Sequence, residues 1–263
     1  MLARQRQAVI LEDARRNGAV RVSDLVARLG VSDMTIRRDL DVLAGRGLVE
    51  KVYGGATAIL GESTDEPGFE AKSSRQRAQK EAIAKLAAAL VRPGTAIGIS
   101  AGTTTWTLAR ALGAIAGLTV VTNSIRVADV LREAAQPDRS VVLTGGVRTP
   151  SDALVGPVAV HSLRRLHLDL VFLGVHGMAE GPGFTTPNLT ESETDRALVE
   201  AGRQLIVLAD HTKWGIVGIS TIADLDEANV VVTDDGLPET ARQTLAEHAG
   251  ELLVAQVPEG DQE

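Results

Sequence analysis

The chain has 263 residues, no cysteine and a formal charge of −7, which gives length for two domains and removes disulfides, thiolate metal sites and cysteine nucleophiles. The charge is unevenly divided: residues 1–53 hold 10 Lys or Arg against 7 Asp or Glu, and the remainder holds 17 against 27. A small basic head on an acidic body suits a chain that meets nucleic acid at one end, and excludes one that coats it along its length.

Residues 2–17 interleave Arg and Gln with Leu2, Ile10, Leu11 and Ala14 and read as a first helix ending at Gly18. Ser23 is an N-cap for a short helix running to about Leu29, and Gly30 permits a tight turn. Ser32 caps the next helix, whose Ile36, Leu40 and Leu43 form a buried stripe and whose end is marked by Gly45 and Gly47. Met34, Thr35, Arg38 and, at the edge, Arg37 then turn outward near the helix N-terminus, where a recognition helix meets base edges and phosphates. Leu48–Tyr53 followed by Gly54 and Gly55 has the length of a wing hairpin. Ser32, Lys51 and Tyr53 join Met34, Thr35, Arg37 and Arg38 as DNA-binding candidates. Two adjacent arginines alone would equally suit a solvated helix face; the caps, the turn glycine and the wing in register favour a winged helix-turn-helix over residues 1–57.

Residues 58–78 read as a linker, because Gly61, Pro67, Gly68 and a mix of acidic and hydroxyl residues bury little surface. From Gln79 to about residue 258 helices and strands alternate. An Ala-rich helix to Val91 precedes a strand at 95–100, a helix opening near Thr104, and a strand at 118–122. A helix at 124–135, a strand at 140–144, a helix at 157–166 and a strand at 170–174 follow. The series continues with a helix at 191–202, a strand at 204–209, a strand at 230–233, a helix at 239–248 and a strand at 252–257. Near-continuous Val, Ile and Leu in the strands predict an α/β domain with a largely parallel sheet covered on both faces.

Ligands of such sheets collect at the carboxyl ends of the strands. Gly102, Thr103, Thr104 and Thr105 stand at a strand end passing into a helix, whose first amides and positive dipole end suit a phosphate, although three threonines there also read as simple caps. Asn123 between Thr122 and Ser124 repeats the arrangement, and Gly145 with Gly146 allows close backbone approach. Asp210 and Lys213 reach the same rim from another strand end. The lysine suits a phosphate and the aspartate suits sugar hydroxyls, and a surface ion pair between them is the competing reading. The five histidines, at 161, 167, 176, 211 and 248, show no metal-ligand spacing and read as structural or surface residues, so no metal or cofactor is expected. No stretch approaches the roughly 18 apolar residues of a membrane span and no signal-type run opens the chain, which predicts a cytoplasmic protein without a membrane partner.

Thr-Ile-Arg-Arg-Asp-Leu at 35–40 and Gly-Gly-Ala at 54–56, with Gly-Thr-Thr-Thr at 102–105, Val-Val-Thr-Asn-Ser at 120–124, Leu-Thr-Gly-Gly at 143–146, Phe-Leu-Gly at 172–174 and Ala-Asp-His-Thr-Lys-Trp-Gly at 209–215, resemble in order and spacing the DeoR family of bacterial transcription regulators. The resemblance runs from about residue 3 to about residue 235. It implies a winged-helix reader joined to a domain similar to ribose-5-phosphate isomerase and the CoA transferases, which senses a phosphorylated sugar, most relatives being repressors of carbohydrate catabolism. Carried over by position, Gly102–Thr105 would hold the phosphate, Asn123 and Gly145–Gly146 would line the pocket, and Lys213 would reach the phosphate or sugar. Two departures point to a different ligand: Ser100 and Ala101 stand where many relatives have an aspartate, and Asp195 precedes Arg196 where many have a Lys-Arg pair. The segment 183–188 reads as a pocket wall or as a loop built by Gly and Pro.

The expected function is a regulator, not an enzyme, released from double-stranded operator DNA by a phosphorylated sugar. A homo-oligomer, dimer or tetramer, would space two recognition helices about one DNA turn apart or a multiple of it. The rivals are a sugar-phosphate isomerase carrying a DNA-binding head, with Asp210 and Lys213 as acid and base, and an activator using the same reader.

Overall fold

The computed structural model describes residues 2–17, 19–45, 48–58, 68–134, 136–149 and 151–258, and the chain divides into two compact units, Met1–Ser63 and Thr64–Glu263. In the first unit, helix α1 (Ala3–Asn17) leads through strand β1 (Ala19–Arg21) into α2 (Val22–Leu29) and α3 (Asp33–Gly45), followed by β2 (Val49–Val52) and β3 (Gly55–Ala58). The strands form an antiparallel sheet in the order β1-β3-β2. Val52 pairs with Gly55, so Tyr53 and Gly54 make a two-residue turn in which Gly54 takes φ +79°. Gly55 has a different reason to be glycine: a Cβ there would stand 2.0 Å from the Val20 carbonyl oxygen, so only glycine lets β1 close onto the wing.

The predicted stripe of Ile36, Leu40 and Leu43 is buried with Ile10, Ala14, Val20, Val22, Leu25, Val49 and Ala56. Gly30 ends α2 with φ +64° and its N–H on the Val26 carbonyl, the conformation a non-glycine residue rarely adopts. Ser32 caps α3 as expected, its Oγ accepting from the Thr35 amide at 3.3 Å. Ser23 is not a cap. The helix begins one residue earlier, Arg21 occupies the cap position without a side-chain bond, and the Ser23 hydroxyl donates to Asp24 instead. Arg21 is already held in β1 opposite Gly55, so the strand runs straight into the helix and sets its start. Gly18 and Gly47 lie outside the described residues.

The second unit opens with α4 (Phe69–Ser73) and α5 (Arg77–Ala88), then β4 (Ala96–Ile99), α6 (Thr103–Ala111), β5 (Thr119–Thr122), α7 (Ile125–Glu133) and β6 (Ser140–Leu143). A hairpin of β7 (Val147–Arg148) and β8 (Leu154–Val155) precedes α8 (Pro157–Leu163), β9 (Leu168–Gly174), β10 (Gly177–Ala179), β11 (Gly183–Thr186) and α9 (Leu189–Glu200). The chain continues through β12 (Gly202–Leu208), β13 (Ser220–Ala223), β14 (Val230–Asp234), α10 (Glu239–His248) and β15 (Leu252–Ala255). Seven strands form one sheet in the order β15-β14-β12-β9-β4-β5-β6, every neighbour parallel. Alternate residues of a strand face opposite sides. Val171 and Leu173 of β9 accordingly belong to one buried cluster, with Leu205, Val207 and Val231, and Phe172 to the other, with Ile97, Ile99, Val120 and Ile206. Both faces are covered, as the continuous apolar runs predict.

Three features depart from the sequence expectation. β10, β11 and β13 make a second, antiparallel sheet, so much of the 183–188 segment is a strand, paired on one side with the adjacent β10 and on the other with the distant β13. The β7–β8 hairpin has strands too short to show a period. Part of the stretch read as linker is helical: Phe69 of α4 is buried against Trp106, one aromatic anchor in a polar segment. Gly61 and Pro67 lie outside the described residues.

Side-chain caps start α7 and α9. Ser124 Oγ accepts from the Val127 amide at 3.2 Å, and Asn188 Oδ1 accepts from the Thr190 and Glu191 amides at 3.0 and 3.2 Å. Asn188→Ala is expected to cost about 1 kcal/mol of stability, read as a lower denaturant midpoint with an unchanged slope.

Lys80 on α5 is buried and donates to the carbonyls of Lys72 and Arg75 at 2.6 and 2.7 Å. Burial lowers its pKa to about 8, against the pull of Asp210 and with the push of Lys213. Between about 8 and the ordinary 10.5 the unfolded chain holds a proton that the folded chain has lost, so this group makes stability rise with pH across that window. Comparing thermal unfolding of the wild type and Lys80→Met across the window should show a wild-type gain relative to the variant as pH rises; parallel curves would refute the assignment.

Candidate functional site

In the first unit α3 presents Met34 and Arg38 to solvent, with Thr35 half-buried, and the wing presents Lys51 and a fully exposed Tyr53. Asp39, on the opposite face of the same helix, is buried and accepts from Arg6 Nε at 2.5 Å and Gln7 Nε2 at 2.9 Å. That pins α1 to α3 and fixes the helix face left outside. The cations are not equivalent. Arg37 is held by Asp33 one turn back, Nε to Oδ1 at 2.5 Å, and Lys51 is paired with Asp41. Arg38 has no ion-pair partner among the described residues, so of these three it offers its full charge to a phosphate or base edge. Ser32 is spent on capping, with its hydroxyl also 2.8 Å from Thr35 Oγ1.

In the second unit the chain runs outward from β4 through β5 and β6 on one side and from β9 through β12, β14 and β15 on the other. The direction of winding reverses between β4 and β9, and loops leaving the carboxyl ends of two such strands flank a crevice. The loop after β4 carries Gly102–Thr105. Ser100 Oγ accepts from the Gly174 amide at 2.9 Å, which locks the β4 and β9 loops together. Gly102 takes φ +154° and starts α6 without a side-chain cap. Thr105 Oγ1 donates back to the Gly102 carbonyl, and Thr107 Oγ1 to that of Thr103. The threonines therefore do not cap the first-turn amides, which stay available to an acceptor.

Asn123 joins this loop from β5. Its Oδ1 accepts from the Ala101 amide at 2.8 Å, so the side-chain amide lies beside the start of the 102–105 turn, and its Nδ2 is buried with no partner among the described residues. A buried NH2 without an acceptor is costly unless something supplies one. Thr122 and Ser124 on either side are structural: Thr122 Oγ1 donates to Ile99 O at 2.7 Å and accepts from the Ser124 amide at 3.0 Å.

Gly145 and Gly146 leave β6 with φ +73° and +122°. A Cβ on Gly146 would lie 2.5 Å from the Val155 carbonyl oxygen, so the close approach this glycine permits is to the facing hairpin strand, where the sequence reading put a ligand. The hairpin is tied to Asn123, whose carbonyl accepts from Leu154 N at 2.7 Å.

Asp210 and Lys213 sit at the end of β12, and β9 separates that strand from β4. Asp210 is buried, and its Oδ1 accepts from both the amide and the hydroxyl of Thr212. No ion pair joins it to Lys213; the half-buried Lys213 ammonium has no partner among the described residues. Next to them His211, read as a structural histidine, is held twice by the buried Asp234 at the end of β14: Nδ1 to Oδ2 at 2.6 Å and backbone N to Oδ1 at 2.7 Å. Burial pulls the imidazole down, but the hydrogen bond and charge of Asp234 outweigh it and raise its pKa, while the carboxylate is lowered by the same contact against its own burial.

Sequence reasoning missed several polar residues that the fold gathers around these loops. Glu191 Oε1 accepts from Thr149 Oγ1 at 2.6 Å and from the Ser151 hydroxyl. Asp195, noted in the sequence only as a departure from the relatives' pattern, lies one turn later on α9, buried beside Glu191, and burial followed by that neighbouring charge holds its carboxyl well above the usual range. Lys80 and Asp234 carry no local signal, since each is a single charged residue in an ordinary helix or strand end.

The family of DeoR-like helix-turn-helix domains matches residues 6–61, and that of DeoR C terminal sensor domains matches residues 75–235. The chain is 38% identical to an uncharacterized HTH-type transcriptional regulator, YgbI, of Escherichia coli K12, across 97% of this chain and 99% of that one. It is 33% identical to a putative aga operon transcriptional repressor of Escherichia coli O157:H7, across 95% and 93%. It is 31% identical to the glycerol-3-phosphate regulon repressor of Escherichia coli K12, across 93% and 96%. Among solved structures it is similar to ribose 5-phosphate isomerase A from Neisseria gonorrhoeae, with a TM-score of 0.40 and 17% identity over 54% of this chain and 55% of that one. A winged reader with its exposed arginine, a parallel sheet with its winding reversal, and relatives matched from end to end agree: this chain belongs to the DeoR family of helix-turn-helix transcriptional regulators.

Proposed function

We propose that the protein represses genes of carbohydrate catabolism by binding operator DNA through α3 and the wing, and that a phosphorylated sugar in the second unit releases it. The observation that carries the sensor half is the buried, unpartnered Nδ2 of Asn123 beside the uncapped start of α6. A phosphate oxygen there would accept from that NH2 and from the first-turn amides of Gly102–Thr105, with the helix dipole favouring its charge. Lys213, unpaired at a neighbouring strand end, serves as a second cation for the phosphate or sugar. Asp210, Gly145 and Gly146 shape the rim, and Thr212 already claims one carboxylate oxygen of Asp210. The names of two relatives, a putative aga operon repressor and a glycerol-3-phosphate regulon repressor, support a sugar or polyol phosphate as the effector class.

The protein acts as a cytoplasmic homo-oligomer, since a dimer presents two recognition helices to one operator. Among the described residues no helix is long and apolar enough to cross a membrane. Catalysis is not part of this reading. Measurable isomerisation of a pentose or hexose phosphate that disappears in Lys213→Ala would replace the sensor with an enzyme, and DNA-dependent stimulation of transcription would replace repression with activation.

Arg38→Ala should weaken binding to a DNA fragment selected by the wild-type chain from a random pool, by about 1 to 3 kcal/mol if the guanidinium reads a base edge. Arg37→Ala should weaken it less, because Asp33 already shares that charge; equal losses at matched salt would remove the distinction. In thermal unfolding against glycerol 3-phosphate, ribose 5-phosphate, fructose 1-phosphate, tagatose 6-phosphate and their unphosphorylated parents, one phosphorylated compound should raise the midpoint, its effect reaching about 2.7 kcal/mol at 100 times its Kd. Asn123→Ala and Lys213→Ala should lose that shift, and a shift retained in both would place the pocket elsewhere.

A further inference from the structure

Helix α4 is the first described helix after residues 59–67, which join the two units in sequence. Two side chains from two different candidate-site loops converge on it, and a third loop reaches one of them. Trp106, at the start of α6 just past Gly102–Thr105, meets Phe69 edge to face with ring centroids 5.8 Å apart. Arg126, at the start of α7 just past Asn123, lies over the Phe69 ring at 5.0 Å and donates to Glu70 Oε1 at 2.8 Å. The same guanidinium donates to Asp152 Oδ2 at 2.8 Å, and Asp152 stands in the hairpin that begins at Gly145–Gly146 and also receives Arg148. The Lys80 ammonium donates to the carbonyl of Lys72 near the end of α4 and to that of Arg75 in the turn after it.

The backbone marks the same network. Among the described residues, two that are not glycine have positive φ: Asp152 at +64° and Gln76 at +50°. Asp152 is the hairpin residue gripped by both arginines, and Gln76 lies between α4 and α5, at the N-cap of α5. Left-handed backbone at such residues persists only where the surroundings over-determine it, and it is concentrated at binding sites and switches. Asp152 stands at one end of a chain of contacts that runs through Arg126 to α4, and Gln76 stands just past that helix, at the start of α5.

We infer that α4 is the output lever of the sensor: a ligand shifting the loops at 102–105, 123–124 and 145–146 moves Trp106, Arg126 and Asp152, and so changes the docking of the helix that leads to the DNA-binding unit. This rests on the sensor reading above. A ligand acts this way only by binding one docking state better than the other. The contacts described between α4 and these loops are discrete, an aromatic pair and a bridging guanidinium, so two docking states would differ in specific interactions that the loops can bias.

The test uses the full chain without added sugar phosphate, with variants Asp152→Asn, Glu70→Gln and Phe69→Ala. Asparagine tolerates the left-handed backbone that Asp152 adopts, and the Glu70 side chain is 78% exposed, so the first two variants fold even if Phe69→Ala does not. Hydrogen exchange of amides 68–76 should quicken about tenfold in Asp152→Asn, although the change lies in the hairpin. With Trp214→Phe leaving Trp106 as the single tryptophan, its emission should move to longer wavelength in Glu70→Gln. The Kd for the selected DNA fragment should shift by about fivefold or more in all folded variants, in one direction. Quickened exchange with wild-type DNA affinity overturns the lever, and so does unchanged exchange in Asp152→Asn. Either result alongside intact thermal shifts condemns the lever alone; a lever that works in a chain with no shift to any compound condemns the sugar-phosphate reading alone. A chain that selects no DNA removes both.

Discussion

The pairing of β4 with β9 is the constraint on which the second unit depends. Parallel strands send all their carboxyl ends to one edge of the sheet, and right-handed crossovers carry the chain steadily in one direction until the order reverses. Here the reversal falls where Ile97, Gly98 and Ile99 of β4 lie beside Leu170, Val171 and Phe172 of β9. The loops that leave these strands are locked by one hydrogen bond, from the Gly174 amide to Ser100 Oγ. Asn123 reaches the same place from the next strand. A Cβ on Gly98 would meet the side chains of Leu168 and Leu198 at 2.9 Å, so the floor of the sheet is packed tightly beneath loops that supply polar groups.

The reader shows the same economy in charge. Seven acidic residues accompany the ten basic ones of residues 1–53, and the described contacts show what several of them do. Asp39 is buried to orient α3 against α1; Asp33 and Asp41 temper Arg37 and Lys51 on the outer surface. Exposed pairs of this kind contribute little to stability, but they reduce the charge available to any phosphate. Binding that rests on a few unpaired cations is weaker on arbitrary DNA, which leaves a larger share of the discrimination to base edges. An acidic body adds repulsion from the duplex and favours a complex made only through the head.

The sensor and the lever meet in Arg126. It follows Asn123 by three residues, so any adjustment of the β5 loop reaches it at once, and its guanidinium contacts an aromatic face and two carboxylates together. A planar fork can hold all three only in one orientation, whereas an ammonium could wander among them. Asp152 is nearly buried, and its carboxyl is held below the usual range: burial opposes this, and the hydrogen bonds from Arg126 and Arg148 win. The charge at that point therefore persists across the ordinary pH range, and movement of the hairpin is felt as movement of a fixed charge.

The sequence by itself determined the elements whose signals are local. Helical spacing of Ile36, Leu40 and Leu43, the Ser32 cap, the turn at Gly30 and the continuous apolar runs of β9, β12 and β14 are properties of neighbouring residues, and they sufficed for a winged reader followed by a covered parallel sheet. The loop motifs at 102–105, 123 and 209–213 were legible for the same reason, because a strand end passing into a helical turn is written in a few consecutive residues, and 145–146 stood out by its paired glycines. Only the tertiary structure decided which groups meet. Whether Ser23 caps depends on Arg21 being held in a sheet with Gly55; the need for Gly146 depends on Val155; the partners of Arg126 come from 56 residues before it and 26 after. The grip of Asp234 on His211, 23 residues before it, and the pairing of β11 with β13 were invisible for this reason. Hydrogen bonds and ion pairs act over a few ångströms whatever the separation along the chain, so their makers can be recognised in a sequence only when they are also neighbours in it.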